Sequence, residues 1–430
     1  MTLKSNTIGI IADDLTGADD TALQFHLKGC NTQILLDYSV IPVGKANTQA
    51  WAVSTETRNK PVEECMDIVK DTTKSLIENL NIDYLYKKID STLRGHIAQE
   101  SLTVLEVMGG DAAIIVPAFP AEGRTTVGGY HLLKGMPIEK TDVARDPHSP
   151  IGQSHIPTLL QQQIEKPEIV AHIPLITVMK GAGPLLIEIK KLIEEGKKLI
   201  VVDAVTTTDM EQIALAIEKC TSKLLPCGSA GLAQVMTKCW LPDTKYQHIT
   251  KVIPPLPVLI ISGSKSSLSK TQLKKLAEFD EFDSYIIDLS MEQIINKPED
   301  SMVESVKEHL ETEKIVAVHF GGYEDEAAKA KELGIFPESI PHFVMEYLAC
   351  FCARVMKNQN LIFVAVGGET SYKCCNAIGS KHLQLIDQVE PAIPICLDHE
   401  ARWIVTKSGN FGTPNTLVNI IKYFKQHQEM

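Results

Sequence analysis

Apolar positions in this chain form short runs that alternate with longer segments of helical periodicity. In the N-terminal half, strand-like runs occupy 7–13, 32–38, 50–55, 83–89, 112–119 and 199–205. The intervening segment 96–108 places Ile97, Val104 and Met108 on one face of a helix. Strands that alternate with helices are typical of a parallel sheet with helices on both faces. We therefore predict an α/β fold with a parallel sheet for this half.

A second series of the same kind fills the C-terminal part. Its predicted strands are 258–264, 284–290, 314–320 and 361–368. Between the two series lies LPDTKYQHITKVIPPLP (241–257), which carries four prolines and no apolar period. Such a segment predicts a linker, and 430 residues exceed one ordinary core. We predict two α/β domains, 1–240 and 258–430, with an interdomain cleft.

The first predicted strand runs directly into two adjacent carboxylates, Asp13 and Asp14. Like charges at a strand exit repel each other unless a cation or a hydroxyl group faces them, so we predict that at least one of them contacts a ligand. Thr16 is predicted to cap the following helix. Asp19 and Asp20 are predicted to complement the dipole of that helix.

Charged and hydroxyl residues follow several other strands of the N-terminal half. Ligands of open α/β sheets bind at the carboxyl ends of the strands, which gives these positions functional weight. The residues are Arg58, Lys88, Asp90, Ser91, Thr92, Arg94 and Arg124.

The strand exits of the C-terminal half are instead rich in glycine and hydroxyl groups. They read SGSKSS (262–267), VGGETS (366–371) and KSGNFG (407–412). Backbone N–H groups in such turns, with a helix following, form anion-binding sites. We predict a phosphate site in this half, although none of the turns has the spacing GxxxxGK[ST] or GxGxxG.

Composition narrows the class of ligand. The formal net charge is −12 and no Lys/Arg-rich run is present, which argues against a nucleic-acid partner. No apolar stretch reaches the roughly 18 residues of a membrane span. The start of the chain shows no secretory signal and the ten cysteines are scattered, so we expect a cytoplasmic protein without a membrane partner.

Six segments occur in an order that resembles a known family: IIADDLTGADDTA, KKIDSTLRGH, VPAFPAEGRTTVGGYHLLKGMPI, SGS, GGET and SGNFG. The chain is similar over nearly its whole length to the four-carbon acid sugar kinases. The resemblance implies an ATP-dependent kinase that phosphorylates the terminal (C4) hydroxyl of 3-oxo-tetronate, threonate or erythronate. It also implies that the N-terminal domain binds the sugar acid, that the C-terminal domain binds ATP, and that the chain forms a homodimer.

The resemblance assigns roles to the strand-exit residues. Asp13 and Asp14 are the catalytic candidates, one of which would take the proton of the attacking hydroxyl. The implied substrate-binding residues are Asp13, Arg58, Lys88, Asp90, Ser91, Thr92, Arg94 and Arg124. The implied ATP-binding residues are Ser262, Gly263, Ser264, Gly367, Gly368, Glu369, Thr370, Gly409, Asn410, Phe411 and Gly412.

The residue types suit this chemistry. Arginine binds a carboxylate through two parallel hydrogen bonds, and a carboxylate beside an attacking hydroxyl can accept its proton. We expect Mg²⁺ on the phosphate oxygens, because the phosphate charge must be offset. The sequence does not identify the metal ligands.

Two other functions stay open at this point. A phosphatase of the haloacid dehalogenase type also places an Asp after its first strand, but it requires the spacing DxD, whereas this chain reads Asp13-Asp14-Leu15. A non-catalytic binding protein or sensor for sugar acids is the other alternative, in which the phosphate-type turns would have no role. Consumption of ATP that depends on a sugar acid separates these readings.

Overall fold

A computed structural model of the chain describes residues 6–39, 41–42, 47–145, 149–241, 253–312, 315–321 and 326–428. The chain divides into two compact units, Met1–Tyr246 and Gln247–Met430. Both units have α/β architecture, which confirms the predicted fold class. Residues 242–252 of the predicted linker lie outside the described residues, so the limits of the linker and domains remain a prediction.

The first unit consists of alternating strands and helices. Its strands are β1 (Ile8–Ala12), β2 (Thr32–Leu35), β3 (Ala50–Ser54), β4 (Tyr84–Lys88), β5 (Ala112–Val116), β6 (Arg124–Val127), β7 (Tyr130–Leu133), β8 (Met136–Pro137), β9 (Val170–Ile173), β10 (Leu199–Val202) and β11 (Leu224–Gly228). Its helices are α1 (Leu15–His26), α2 (Val62–Leu80), α3 (Ile97–Met108), α4 (Ile156–Gln162), α5 (Leu175–Val178), α6 (Ala182–Glu194), α7 (Thr207–Lys219) and α8 (Ala230–Trp240).

The large sheet of the first unit has the strand order β2-β3-β1-β4-β11-β5-β10-β9, and its pairs are parallel as predicted. After β1 the chain passes through α1 to β2, on one side of β1. After β4 it passes through α3 to β5, on the other side of β4. The strand order therefore reverses between β1 and β4, which is where open α/β sheets form a ligand crevice.

Alternating side chains of these strands bury apolar surface on both faces of the sheet. On one face, Ile11, Val53 and Ile115 belong to the same buried cluster as Leu76 of α2 and Val104 of α3. Helix α1 packs against α8 and β3. Nearly every side chain of α1 is buried as a result, including polar ones.

The segment after β5 forms a small antiparallel sheet of β6, β7 and β8. Gly128 and Gly129 form its first turn with φ of 60° and 77°. Asp203, which follows β10, accepts hydrogen bonds from the N–H groups of Gly128 at 2.6 Å and Gly129 at 3.0 Å. This carboxylate attaches the small sheet to the rim of the large one.

The second unit contains the strands β12 (Val258–Ser262), β13 (Tyr285–Asp288), β14 (Ile315–His319), β15 (Ile362–Val366), β16 (His382–Glu390), β17 (Ile393–Asp398) and β18 (Trp403–Lys407). Its helices are α9 (Ser267–Ala277), α10 (Met291–Ile294), α11 (Asp300–Thr312), α12 (Glu326–Glu332), α13 (Ile340–Met356), α14 (Gly368–Ala377) and α15 (Thr416–Gln426). Among the described residues of both units, no helix is long and apolar enough to cross a membrane.

The strands of the second unit follow the order β13-β14-β12-β15-β18-β17-β16. The pairs from β13 to β18 are parallel, whereas β17 pairs antiparallel with both β18 and β16. The chain after β12 leads to β13 on one side, and the chain after β15 leads to β16 on the other. The order therefore reverses between β12 and β15, at the turns predicted to bind phosphate.

Candidate functional site

The carboxyl ends of β1, β3 and β4 bring several predicted substrate residues into one ion cluster. Arg58 donates from Nε to Asp13 Oδ2 at 2.8 Å and from Nη2 to Asp13 Oδ1 at 3.0 Å. Its Nη1 donates to Asp14 Oδ2 at 2.8 Å, and its Nη2 lies 3.8 Å from Asp90 Oδ1. One guanidinium thus links three carboxylates that follow two neighbouring strands.

This ion cluster sets the charge of Asp13. Burial by itself would raise the pKa of Asp13, but the charge and hydrogen bonds of Arg58 outweigh burial and hold the pKa below its usual value. In turn, Asp13 and Asp14 outweigh the effect of burial on Arg58 and raise its pKa well above the usual range. Asp13 is therefore ionised with both oxygens occupied, which makes it a weak proton acceptor.

The turn after β4 is organised around Asp90. Arg94 donates from Nε to Asp90 Oδ2 at 2.8 Å and from Nη2 to Oδ1 at 3.1 Å, and Thr92 Oγ1 also donates to Oδ2. Burial would raise the pKa of Asp90, but Arg94 and Arg58 outweigh it and lower the pKa well below its usual value. The predicted residues Asp90, Thr92 and Arg94 are thus brought together.

His131 of β7 supports this turn and was missed by the sequence analysis. Its Nε2 donates to the Ser91 carbonyl oxygen at 2.8 Å, so in the neutral ring Nδ1 accepts from Thr126 Oγ1 at 3.0 Å. Burial lowers the pKa of His131 to about 4, which keeps the ring neutral near neutral pH. The sequence offered no signal for this role, because it depends on the fold of the small sheet.

The adjacent lysines of β4 point to opposite faces of the sheet. Lys87 Nζ lies 2.7 Å from Glu100 Oε2 of α3, and both side chains are buried. Thr57 Oγ1 donates to the other Glu100 oxygen at 2.7 Å. Lys88 extends toward α1, where a Cβ added to Gly17 would lie 2.8 Å from Lys88 Nζ. Lys87 therefore serves the core, and Lys88 belongs to the site.

Asp14, rather than the predicted Thr16, caps α1. Its Oδ1 accepts from the Gly17 N–H at 2.9 Å, and its Oδ2 accepts from Thr16 Oγ1 at 2.8 Å. Because Asp14 also accepts from Arg58, it couples the start of α1 to the ion cluster.

Asp19 and Asp20 lie inside α1 and not in its first turn, so their predicted role at the helix dipole is wrong. The Asp20 side chain is buried, and among the described residues its Oδ1 has no hydrogen-bond partner. Burial raises the pKa of Asp20 to about 6, with Lys88 and Arg124 opposing the shift. Arg124, predicted as a substrate residue, donates from Nη1 to the Glu122 carbonyl oxygen at 2.6 Å and lies in the electrostatic neighbourhood of Asp20.

Glu56 is a further carboxylate of this rim that sequence reasoning missed. Its φ is 50°, in the left-handed region that a non-glycine residue adopts at a cost. Its Oε1 accepts from the Leu15 N–H at 2.8 Å and from Ser54 Oγ at 2.5 Å. Burial raises the pKa of Glu56 to about 8. Its position two residues before Arg58 at a strand exit was the available signal.

A cleft of about 490 Å³ opens beside the ion cluster within the first unit. It is lined by residues that include Arg58, Arg94, His96, Gln153 and Gln163. This volume lies within the range of small-molecule sites, about 300–1,000 Å³. Polar and cationic groups therefore border a space large enough for a small anion.

The glycine-rich turns of the second unit meet at the carboxyl ends of β12, β15 and β18. Ser266 Oγ and Ser269 Oγ donate to the Gly409 carbonyl oxygen at 2.7 and 2.9 Å. The Gly367 N–H donates to the Lys407 carbonyl oxygen at 2.7 Å. Turns that lie far apart in the sequence thus form one surface.

Glycine is required where these turns approach each other. A Cβ at Gly409 would overlap Ser264 Oγ, and a Cβ at Gly263 would lie 2.6 Å from Thr370 Oγ1. Gly367 has φ of 114°, a conformation that L side chains rarely adopt. Glycine at these positions therefore allows the turns to contact each other.

The other predicted nucleotide residues surround this surface. Gly368 and Glu369 begin α14, and Glu369 is exposed. Ser262 is buried, and its Oγ has no hydrogen-bond partner within the ranges that the structure describes. Asn410 and Gly412 are exposed, whereas Phe411 packs against the apolar core.

Lys407 is a buried cation at these turns that the sequence analysis did not select. Its Nζ donates to the Ser408 carbonyl oxygen at 2.8 Å. Burial lowers the pKa of Lys407 to about 8, an effect that Glu390 partly opposes. A lysine that ends a strand in KSGNFG was the available signal.

Comparison with known proteins agrees with this division of chemistry. Residues 8–236 match a family model described as a sugar-binding N-terminal domain. Residues 259–417 match a model described as a nucleotide-binding C-terminal domain. The charged rim lies within the first match, and the glycine-rich turns lie within the second.

Curated relatives cover almost the whole chain. A D-erythronate kinase of Heliobacterium modesticaldum is 29% identical over 97% of this chain and 97% of its own length. A D-threonate kinase of Salmonella typhimurium is 27% identical over 97% of this chain and 98% of its own length. The crystal structure of a Haemophilus influenzae protein aligns with a TM-score of 0.75 at 23% identity, covering 97% of this chain and 100% of that chain, which shows the shared fold.

Proposed function

We propose a function from the premise that this chain belongs to the four-carbon acid sugar kinase family. The protein transfers the γ-phosphoryl group of ATP to the terminal hydroxyl of a four-carbon sugar acid. The family and the kinase class predicted from the sequence are confirmed. The choice among erythronate, threonate and 3-oxo-tetronate belongs to the proposal, as does the expected cytoplasmic homodimer.

One observation carries the proposal: each unit concentrates a different chemistry at the reversal point of its sheet. The first unit gathers guanidinium, ammonium and carboxylate groups around a cleft. The second gathers hydroxyl groups and glycine N–H groups in contacting turns. A hydroxylated carboxylate suits the first set, and a triphosphate suits the second.

For the sugar acid, we assign the carboxylate to Arg58 and Arg94, which line the cleft. Asp13 and Asp90 hold the two guanidinium groups in fixed orientations, so little rotational freedom is lost when the substrate binds. Lys88, Arg124 and the predicted partners Asp14, Ser91 and Thr92 would contact its hydroxyl groups.

For ATP, we assign the phosphates to the turns Ser262–Ser264, Gly367–Thr370 and Gly409–Gly412. Backbone N–H groups at the start of α14 and the cation of Lys407 would offset the phosphate charge. Phosphoryl transfer depends mainly on such positioning and charge stabilisation.

The residues of the nucleotide turns are compatible with a magnesium ion that binds together with the nucleotide. Across the described residues, no group of three or more His, Cys, Asp or Glu side chains could hold a metal ion. Mg²⁺ commonly takes one or two carboxylates together with phosphate oxygens and water, and the exposed Glu369 is the carboxylate within the nucleotide turns. When bound, the metal would neutralise phosphate charge.

An ADP-release assay of purified protein against D-threonate, D-erythronate and 3-oxo-tetronate tests the proposal. ADP is expected to form only when ATP and a sugar acid are both present, with a phosphorylated acid as the second product. Binding of a sugar acid without ADP release would instead support a sensor. Release of phosphate from a phosphorylated acid without ATP would support a phosphatase.

A further inference from the structure

Asp20 is a buried acid whose charge the protein itself does not neutralise. The side chain is 7% exposed, and no group in the described part of the chain forms a hydrogen bond with its Oδ1. Leaving a buried carboxylate unpaired costs free energy, so such a group deserves a functional explanation. The nearby Gln24 Nε2 donates to the backbone carbonyl oxygen of Asp20 at 3.2 Å rather than to its carboxylate.

Lys88 is the complementary case. Its side chain is 4% exposed, and its charge acts on Asp13, Asp20 and Asp90. Within the described part of the chain, Lys88 Nζ makes no hydrogen bond, and no approach within 4.0 Å joins it to a carboxylate. The buried ammonium of Lys88 therefore acts electrostatically on the buried carboxylate of Asp20 without contacting it.

A hydroxyl group satisfies both partners at once. Its oxygen can accept a hydrogen bond from an ammonium while its O–H donates to a carboxylate. Two such hydrogen bonds span at most about 5.5–6 Å from nitrogen to carboxylate oxygen. Gly17 keeps the approach to Lys88 Nζ open, because a Cβ there would lie 2.8 Å from that atom.

We propose that the phosphoryl-accepting hydroxyl of the sugar acid binds between Lys88 Nζ and Asp20 Oδ1, and that Asp20 is the catalytic residue that accepts its proton. This inference rests on the proposed kinase function. As the hydroxyl oxygen forms a bond to the γ-phosphorus of ATP, its proton moves to Asp20 Oδ1. The bond between the γ-phosphorus and the bridging oxygen breaks, and ADP leaves with the electron pair.

The other carboxylates of the rim are less suited to this step. Both oxygens of Asp13 accept from Arg58, and both oxygens of Asp14 accept hydrogen bonds at the start of α1. Glu56 has a pKa of about 8, so it is mainly protonated at neutral pH. Asp20, with a pKa of about 6, is mainly ionised there and still basic enough to accept a proton.

The groups that act on Asp20 come from several elements around it. Lys88 ends β4, Arg124 starts β6, Glu122 precedes β6, and Asp14 caps α1. Lys88 and Arg124 lower the pKa of Asp20, whereas Asp14 and Glu122 raise it. Cations and carboxylates thus act on Asp20 together, and a neutral hydroxyl can enter this site without adding a charge.

The experiment compares wild type, Asp20→Asn and Lys88→Met with ATP and the best sugar acid found for the wild type. Asp20→Asn is expected to lower kcat by at least about 100-fold, the lower end of general acid–base contributions, with little change in KM. Its Tm should be unchanged or higher, because a buried charge is removed. Asp19→Asn, a neighbouring buried change on α1, is the matched control and should retain its kcat.

A pH profile adds a readout that a structural role would not move. The wild-type kcat should fall as the pH drops through about 6, and the residual activity of Asp20→Asn should not show this decrease. Retained kcat in Asp20→Asn, or a loss explained wholly by unfolding, would overturn the assignment while leaving the kinase function intact. A wild type that forms no ADP with any tetronate would overturn the kinase function, and the assignment with it.

Discussion

Lys87→Met removes the cation of a buried ion pair and leaves the adjacent Lys88 in place. Lys87 Nζ lies 2.7 Å from Glu100 Oε2, and the two side chains are 1% and 2% exposed. At an effective dielectric constant of about 20, unit charges this close attract by about 6 kcal/mol. Breaking a buried pair typically costs about 3–5 kcal/mol, because the remaining charge stays buried without its partner. We expect a loss of this size in the free energy of unfolding.

Thermal and urea unfolding measure this loss. For a unit of this size, about 3–5 kcal/mol corresponds to a fall in Tm of roughly 6–20 °C. The KM for the sugar acid should stay unchanged at temperatures where the variant is folded, because Lys87 lies on the α3 side of the sheet. Lys87→Met/Glu100→Gln should recover part of the stability, since neither residue then carries a charge.

Lys88→Met is the matched control, since it changes the next residue of the same strand. It should retain most of its stability and lose activity, the reverse of Lys87→Met. Equal losses of Tm in the two variants, or a raised KM in Lys87→Met alone, would refute the division of roles between the two faces.

Three further outcomes test other parts of the molecule. Arg58→Met should lower stability by about 3–5 kcal/mol, because it leaves the buried Asp13 and the half-buried Asp14 without their shared cation, and denaturant unfolding measures this. Gly409→Ala should raise the KM for ATP at least several-fold with a smaller effect on the sugar-acid KM, since a Cβ there overlaps Ser264 Oγ. The pKa of His131 is about 4 in the folded protein, against 6.5 for an unperturbed histidine. This difference should contribute about 3 kcal/mol to the free energy of unfolding, which is present above pH 6.5 and lost as the pH falls toward 4. Unfolding curves of His131→Asn should lack that slope.

Much of the architecture follows from local sequence patterns. The predicted strands 7–13, 50–55 and 112–119 contain β1, β3 and β5, because buried parallel strands are continuous apolar runs. The rule that ligands bind at strand carboxyl ends also directed attention to the sheet edges where the ion cluster and the contacting glycine-rich turns lie. Neither inference requires knowledge of which strands are neighbours.

The predictions that were wrong or absent concern residues whose surroundings are formed by distant segments of the chain. Asp20 was assigned to the helix dipole because a single helix usually has a solvated face, but α1 is buried on nearly all sides. Strand β16 was not predicted, because its burial alternates irregularly around bulges in its pairing with β17. The ion pairs of Arg58 could not be assigned from the sequence, since they join the exits of β1 and β3.

The two lysines of β4 also constrain how that strand aligns with its neighbours during folding. A shift of one residue in the register would exchange the faces of the whole strand. A shift in one direction would place Tyr86 opposite Glu100 and leave that carboxylate without its cation. A shift in the other direction would move Lys87 into the fully buried place of Tyr86. The alternating cations therefore make misaligned pairing of β4 unfavourable, and the strand that carries part of the site also encodes its own alignment.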